Sequence, residues 1–179
     1  MKFYFGIYFI LAIILLSCII GKTKLSVDDL KWINVYSTGD SLIFRSEKGE
    51  YDTSIIIEQG TFYGEANPIE TGLYQHQWGQ IKYKNKKLTY DPNGREMISM
   101  IKSDPPSQTR FFFDYLYSSF SADPISGMQK YKKGNIYEFD CGTEKESYKP
   151  RIIFWDEKLG LVKYIAQDGT VWERINIPK

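Results

Sequence analysis

The 179-residue chain has one histidine, His76, and two cysteines, Cys18 and Cys141. A Ser-His-Asp or Cys-His triad, or any metal site that includes imidazole, must therefore use His76. It sits in Tyr74-Gln75-His76-Gln77-Trp78, beside a loop carrying Gly64, Pro68 and Gly72. No CxxC, HExxH, P-loop, GxSxG or calcium-loop pattern occurs. A carboxylate pair across a cleft would suit glycoside hydrolysis. Nothing in the sequence separates Glu58, Glu65, Glu70, Asp114 or Asp140 from ordinary solvated acids. The sequence therefore assigns no catalytic residue, metal or cofactor. Its one candidate ligand surface is Tyr74, His76 and Trp78, where ring faces and an imidazole lie close in the chain.

Cys18 has more specific surroundings. Met1-Lys2 is followed by an apolar run from Phe3 to Gly21 that holds no charge until Lys22. A basic start before an apolar stretch is what an export signal requires. Within it, Leu15-Leu16-Ser17-Cys18 resembles a bacterial lipobox, with the small Ser17 before a thiol able to take a diacylglyceryl group. Leu16 departs from the common form, which has a smaller residue there. Three fates fit the segment: a lipoprotein signal cut before Cys18, an uncleaved membrane span, or an ordinary secretory signal cut near Gly21. The first fits best, because the cysteine follows both the apolar run and a small residue. The expected organisation is a signal over residues 1–17, the lipidated Cys18 with a short tether to residue 28, and a single domain over 29–179.

Charge narrows the partners. There are 23 basic and 22 acidic side chains, and Lys2 lies in the segment expected to be removed. A balanced, interspersed chain has no general attraction for nucleic acid. The expected partners are the membrane, through the lipid, and an envelope protein or a small molecule. With Cys18 lipidated, Cys141 is left without a partner, and its setting in Tyr137-Glu138-Phe139-Asp140-Cys141-Gly142 reads as a small hydrophobe at a strand end.

The elements that must position these groups read as strands. Tyr (14 residues) and Phe (11) are abundant, and both suit half-buried pleated surfaces. Apolar runs at 41–45, 51–58, 61–63, 77–84, 87–90, 111–117, 129–132, 135–139, 151–155, 161–166 and 171–175 are broken by turn signals. Residues 95–102 are open between strand and helix. Asp91-Pro92-Asn93-Gly94 and Asp168-Gly169 are the strongest turns, Asn85-Lys86 reads as a hairpin, Gln59-Gly60 as a turn, and 118–127 as a connection. Spacing of this kind predicts an all-β fold, an antiparallel sandwich or barrel-like sheet of many short strands, with an N-terminal signal helix.

Gly39-Asp40-Ser41-Leu42-Ile43-Phe44-Arg45-Ser46 after Trp32, with Gly160-Leu161-Val162-Lys163-Tyr164 and Asp168-Gly169-Thr170-Val171-Trp172-Glu173, resemble patterns of uncharacterised small envelope lipoproteins of Bacteroidetes-type bacteria. These stretches and the signal cover about a quarter of the chain, and they are turn-and-strand patterns. The resemblance implies location and fold class, and no activity. An acidic run after the lipidated cysteine, used for surface export in such bacteria, is replaced by Ile19-Ile20-Gly21-Lys22-Thr23-Lys24. The expectation is an outer-membrane lipoprotein facing the periplasm, non-enzymatic, acting by binding or as an assembly accessory. Its rivals are a glycan hydrolase using a carboxylate pair and an inhibitor or immunity-type protein.

Overall fold

The computed structural model describes residues 21–64, 74–102, 104 and 108–176. The apolar segment up to residue 20, with Cys18 and the expected signal helix, lies outside the described residues. Among those described, no helix is long and apolar enough to cross a membrane.

In chain order the elements are β1 (Gly21–Lys22), helix α1 (Val27–Ile33), β2 (Ser41–Ser46), β3 (Tyr51–Tyr63), β4 (Tyr74–Gln75) and β5 (Gln77–Asn85). They continue with β6 (Arg95–Lys102), β7 (Thr109–Tyr115), β8 (Ser118–Ala122), a 3₁₀ helix (Ile125–Tyr131), β9 (Lys132–Lys133), β10 (Ile136–Asp140), β11 (Pro150–Asp156), β12 (Gly160–Ala166) and β13 (Val171–Arg174). The fold is all-β, as the sequence predicts. Eleven strands form one antiparallel sheet in the order β8-β7-β6-β5-β3-β2-β13-β12-β11-β10-β9. Of the two expected architectures the barrel-like one is observed, a sheet curled into a half-barrel. The last strand pairs with the first long one, Glu173 opposite Arg45, so the two ends of the domain meet in the middle of the sheet.

Alternation selects the concave face. Leu42, Phe44 and Ser46 are buried on β2, Asp52, Ser54 and Ile56 on β3, and Phe111, Phe113 and Tyr115 on β7. Rings fill the space between the two arms of the curl. Phe113 meets Trp155 edge-on at 5.7 Å between centroids, and Tyr115 meets Tyr164 at 5.5 Å. Phe120 on β8 stacks on Phe139 of β10 at 4.7 Å, which draws the two ends of the sheet together.

Helix α1 lies across one mouth of the curl. Ser26 caps it: Asp29 N–H donates to Ser26 Oγ at 3.1 Å, and Ser26 N–H donates to Asp29 Oδ2 at 2.8 Å. Thr109 of β7 donates its hydroxyl to the same Asp29 oxygen at 2.8 Å. Leu25 and Ile33 sit over Gly79 of β5, where a Cβ would press on both. Trp32 reaches the other arm, with its ring 4.8 Å from Phe111 and from Tyr137, and 5.7 Å from Trp155. Residues 21–28, read as tether from the sequence, thus contain a strand, a helix cap and core contacts.

Several local expectations need correction. Residues 51–63 form one strand: Gly60 pairs with Gln80, and a bulge between Ile56 and Glu58 takes the place of a turn at Gln59-Gly60. Lys87–Tyr90 is no strand, because successive turns close from Leu88 N–H to Asn85, Asp91 N–H to Leu88 and Gly94 N–H to Asp91, with Leu88 buried. Residues 118–122 are a strand, entered through a tight turn in which Leu116 and Tyr117 both have positive φ. The strand expected at 129–132 is mostly 3₁₀ helix, leaving the two-residue β9. Residues 95–102 resolve as a strand.

Candidate functional site

The three residues singled out from the sequence take three different neighbours. Tyr74 on β4 lays its ring against Gly21 of β1, with which it is in parallel register. His76 Nε2 is 2.7 Å from Asp104 Oδ1. Trp78 stacks on Phe62, its cross-strand partner, at 6.3 Å and an interplanar angle of 8°. Among the described residues no serine, threonine or cysteine hydrogen-bonds to the His76 ring, and no group of three or more His, Cys, Asp or Glu is placed to hold a metal. The candidate carboxylates are also dispersed: Glu58 bonds Gln80 and pairs with Lys82, Asp114 forms a two-pronged pair with Arg95, and Asp140 caps Gly142. Glu65 and Glu70 lie outside the described residues, as does Cys18.

The residues that do converge were not legible as a group. Under α1 lies an open cleft of about 570 Å³, lined by Asp28, Lys31 and Trp32 from the helix, Gln129 from the 3₁₀ helix, Tyr137 from β10, Trp155 from β11, and Glu157 and Lys158 from the turn into β12. Its size is that of a small-molecule site. The helix cap fixes one wall. The tight β11–β12 connection, whose Asp156 carboxylate accepts from Lys158 and Leu159 N–H, fixes the other. Trp155 and Tyr137 are nearly buried beneath Trp32, which remains half-buried. The rim is charged in pairs: Lys31 with Asp28 at 2.5 Å, and Lys132 with Glu157 at 2.5 Å. Tyr137 donates its hydroxyl to the same Glu157 oxygen at 2.9 Å.

These pairs set protonation. The hydrogen bond and charge of Lys31 hold Asp28 below the usual carboxylate range. The hydrogen bond from Lys132 does the same for Glu157. Burial, and then the Glu157 carboxylate, push the Tyr137 phenol up to about 12. At neutral pH the cleft thus presents two carboxylates, a neutral phenol and lysines around the indoles of Trp32 and Trp155. Among the described residues, Lys158 is the lining cation with no ion-pair partner.

A second hollow, about 540 Å³, opens at the opposite mouth beside Lys48, Lys86, Lys87, Tyr148, Asp168 and Trp172. Its cations are largely committed. Lys87 reaches the buried Asp52 carboxylate at 3.2 Å and lies 4.5 Å from the Trp172 ring centroid, and Lys48 donates to Thr170 at 3.0 Å. The α1 cleft is therefore the better candidate.

No family model, curated protein or solved structure matches this chain.

Proposed function

We propose that the protein is a membrane-tethered envelope domain that binds a small polyhydroxylated ligand, such as a sugar, in the α1 cleft. The tether is Cys18, lipidated after removal of residues 1–17, and the domain faces the periplasm. The observation that carries the binding reading is the cleft itself: the half-buried Trp32 indole over Trp155, rimmed by the amide of Gln129, the carboxylate of Glu157 and the ammonium of Lys158, which has no ion-pair partner among the described residues. A sugar ring lays its C–H face on an aromatic plane and turns its hydroxyls to donors and acceptors at the edge. Binding is favoured over hydrolysis for a stated reason. Glycoside cleavage requires one carboxyl kept protonated near neutrality, and both cleft carboxylates are instead held ionised by lysines.

The experiment is a screen of the full-length chain on an array of mono- and oligosaccharides, alongside Lys158→Glu. Lys158 is exposed, so this variant keeps the fold. The expected result is binding to a restricted set of glycans that K158E weakens or redirects. Absence of any glycan signal, or a signal identical in K158E, overturns the assignment of ligand to this cleft. The anchor is tested separately: wild type takes up fatty-acid label and Cys18→Ala does not.

A further inference from the structure

We propose that the end of the half-barrel entered by β1 is a membrane-contact face, seated on the interfacial layer of the bilayer that holds the chain. The inference rests on the anchoring proposed above and adds an orientation to it. Gly21 and Lys22 are already fixed in the fold, opposite Tyr74 and Gln75. Thr23 continues the attachment: its hydroxyl donates to Lys102 O at 2.9 Å and accepts from Gln77 N–H at 3.2 Å. Only Ile19 and Ile20 separate Cys18 from β1. Three Cα–Cα steps span at most about 11 Å, little more than the polar layer of one leaflet, which is roughly 5–8 Å thick. A chain anchored at Cys18, or by an uncleaved apolar segment ending at Ile20, cannot hold this end of the domain clear of the headgroups.

The residues found at this end fit that position. Phe62, at 44% exposure, stacks on Trp78 on the outer face of β3 and β5. Lys22 Nζ lies 5.1 Å from the Tyr63 ring centroid, and Tyr74 packs on Gly21. Lys22, Lys24 and Lys102 have no carboxylate partner among the described residues. Rings with an apolar body and a polar tip, flanked by lysines whose stems lie along apolar surface while the ammonium meets phosphate, are the composition favoured at the bilayer interface. Among the described residues, Trp78 is the one ring in contact with Phe62.

The test uses the full-length chain in phosphatidylethanolamine–phosphatidylglycerol vesicles doped with a brominated phosphatidylcholine, read by flotation and by tryptophan quenching. The chain has four tryptophans, so two variants identify the reporter. Trp78→Phe removes the interfacial indole, and Phe62→Trp adds one at an exposed site that tolerates it. The expected result is that the chain floats with the vesicles, bromolipid quenches it, W78F loses most of that quenching, and F62W increases it. A chain that floats but shows quenching insensitive to both substitutions overturns the contact face while leaving the anchor standing, and frees the face for a protein partner. A chain that does not float overturns the anchoring, and this inference with it. Should W78F fail to fold, F62W alone decides: no increase in quenching sinks the proposal.

Discussion

Asp52 is a carboxylate with no exposure to solvent, held by three donors: the Tyr164 hydroxyl at 2.9 Å, Asn85 Nδ2 at 2.9 Å and Lys87 Nζ at 3.2 Å. Removing one member of a buried ion pair strands the other, which typically costs about 3–5 kcal/mol. Asp52→Ala should therefore lower the unfolding free energy by about that amount, read as a lower urea midpoint at unchanged slope. Lys87→Met combined with it should cost less than the sum of the single changes, because no ammonium is then left unpaired over Trp172. Cys141 illustrates the opposite use of burial. Its thiol is pushed up to about 12, first by desolvation and then by the nearby Asp140 and Asp114 charges. Thiolate is the reactive form, so iodoacetamide at neutral pH should leave native Cys141 almost unmodified and label it rapidly in urea. Fast native labelling would contradict its packing as a partly buried hydrophobe against the core.

Turns decide how the elements join, and two glycines separate turn strain from packing. Gly160 and Gly169 both have positive φ, at +76° and +85°. Nothing lies within 4 Å of a Cβ added at Gly169, whereas one at Gly160 would run into the Tyr36 hydroxyl and ring. That hydroxyl accepts the Leu161 N–H at 2.6 Å inside the core. Gly169→Ala should cost about 1–2 kcal/mol, the backbone term alone. Gly160→Ala should cost about 3 kcal/mol or more, because it also breaks the Tyr36 bond. Equal losses in chemical denaturation would remove the distinction. The same contrast explains which joints could be read from sequence. Asp168-Gly169 announces its turn, since both residue types tolerate positive φ. Leu116-Tyr117 makes an equally tight turn with residues that give no such signal, so β8 was hidden. Gly60 reads as punctuation but lies inside the last third of β3, where its pairing with Gln80 overrides local preference. Helix α1 gives little signal in the sequence because the capping box Ser26-Val27-Asp28-Asp29 is closed by the shorter Asp, and the helix it opens has only seven residues, Val27–Ile33.

For the whole molecule, antiparallel all-β character was visible in strand spacing, but closure was not. Nothing local tells that β13 returns to pair with β2, or that Phe113 meets Trp155 across the curl. The cleft was invisible for the same reason: Trp32, Tyr137 and Glu157 meet only once α1 crosses the mouth. That closure leaves one global signature. Tyr36, Tyr83, Tyr115 and Tyr164 are buried among the rings and their hydroxyls are pushed above the usual phenol value, chiefly by desolvation; Tyr137 is pushed up to about 12. The folded state thus favours the protonated phenols, and the unfolded chain releases their protons near pH 10. Their contribution to stability is complete below pH 10 and declines as pH rises through the folded-state values. Near-UV circular dichroism should accordingly hold steady up to about pH 10. At higher pH it should collapse in one step, together with a rise in phenolate absorbance. Because the five phenols belong to β5, β7, β10, β12 and the segment after α1, ionising them opens both arms of the curl at once. Complete phenolate formation while the near-UV signal persists would mean that these rings are reached by hydroxide without unfolding, and that the interior is far looser than its packing.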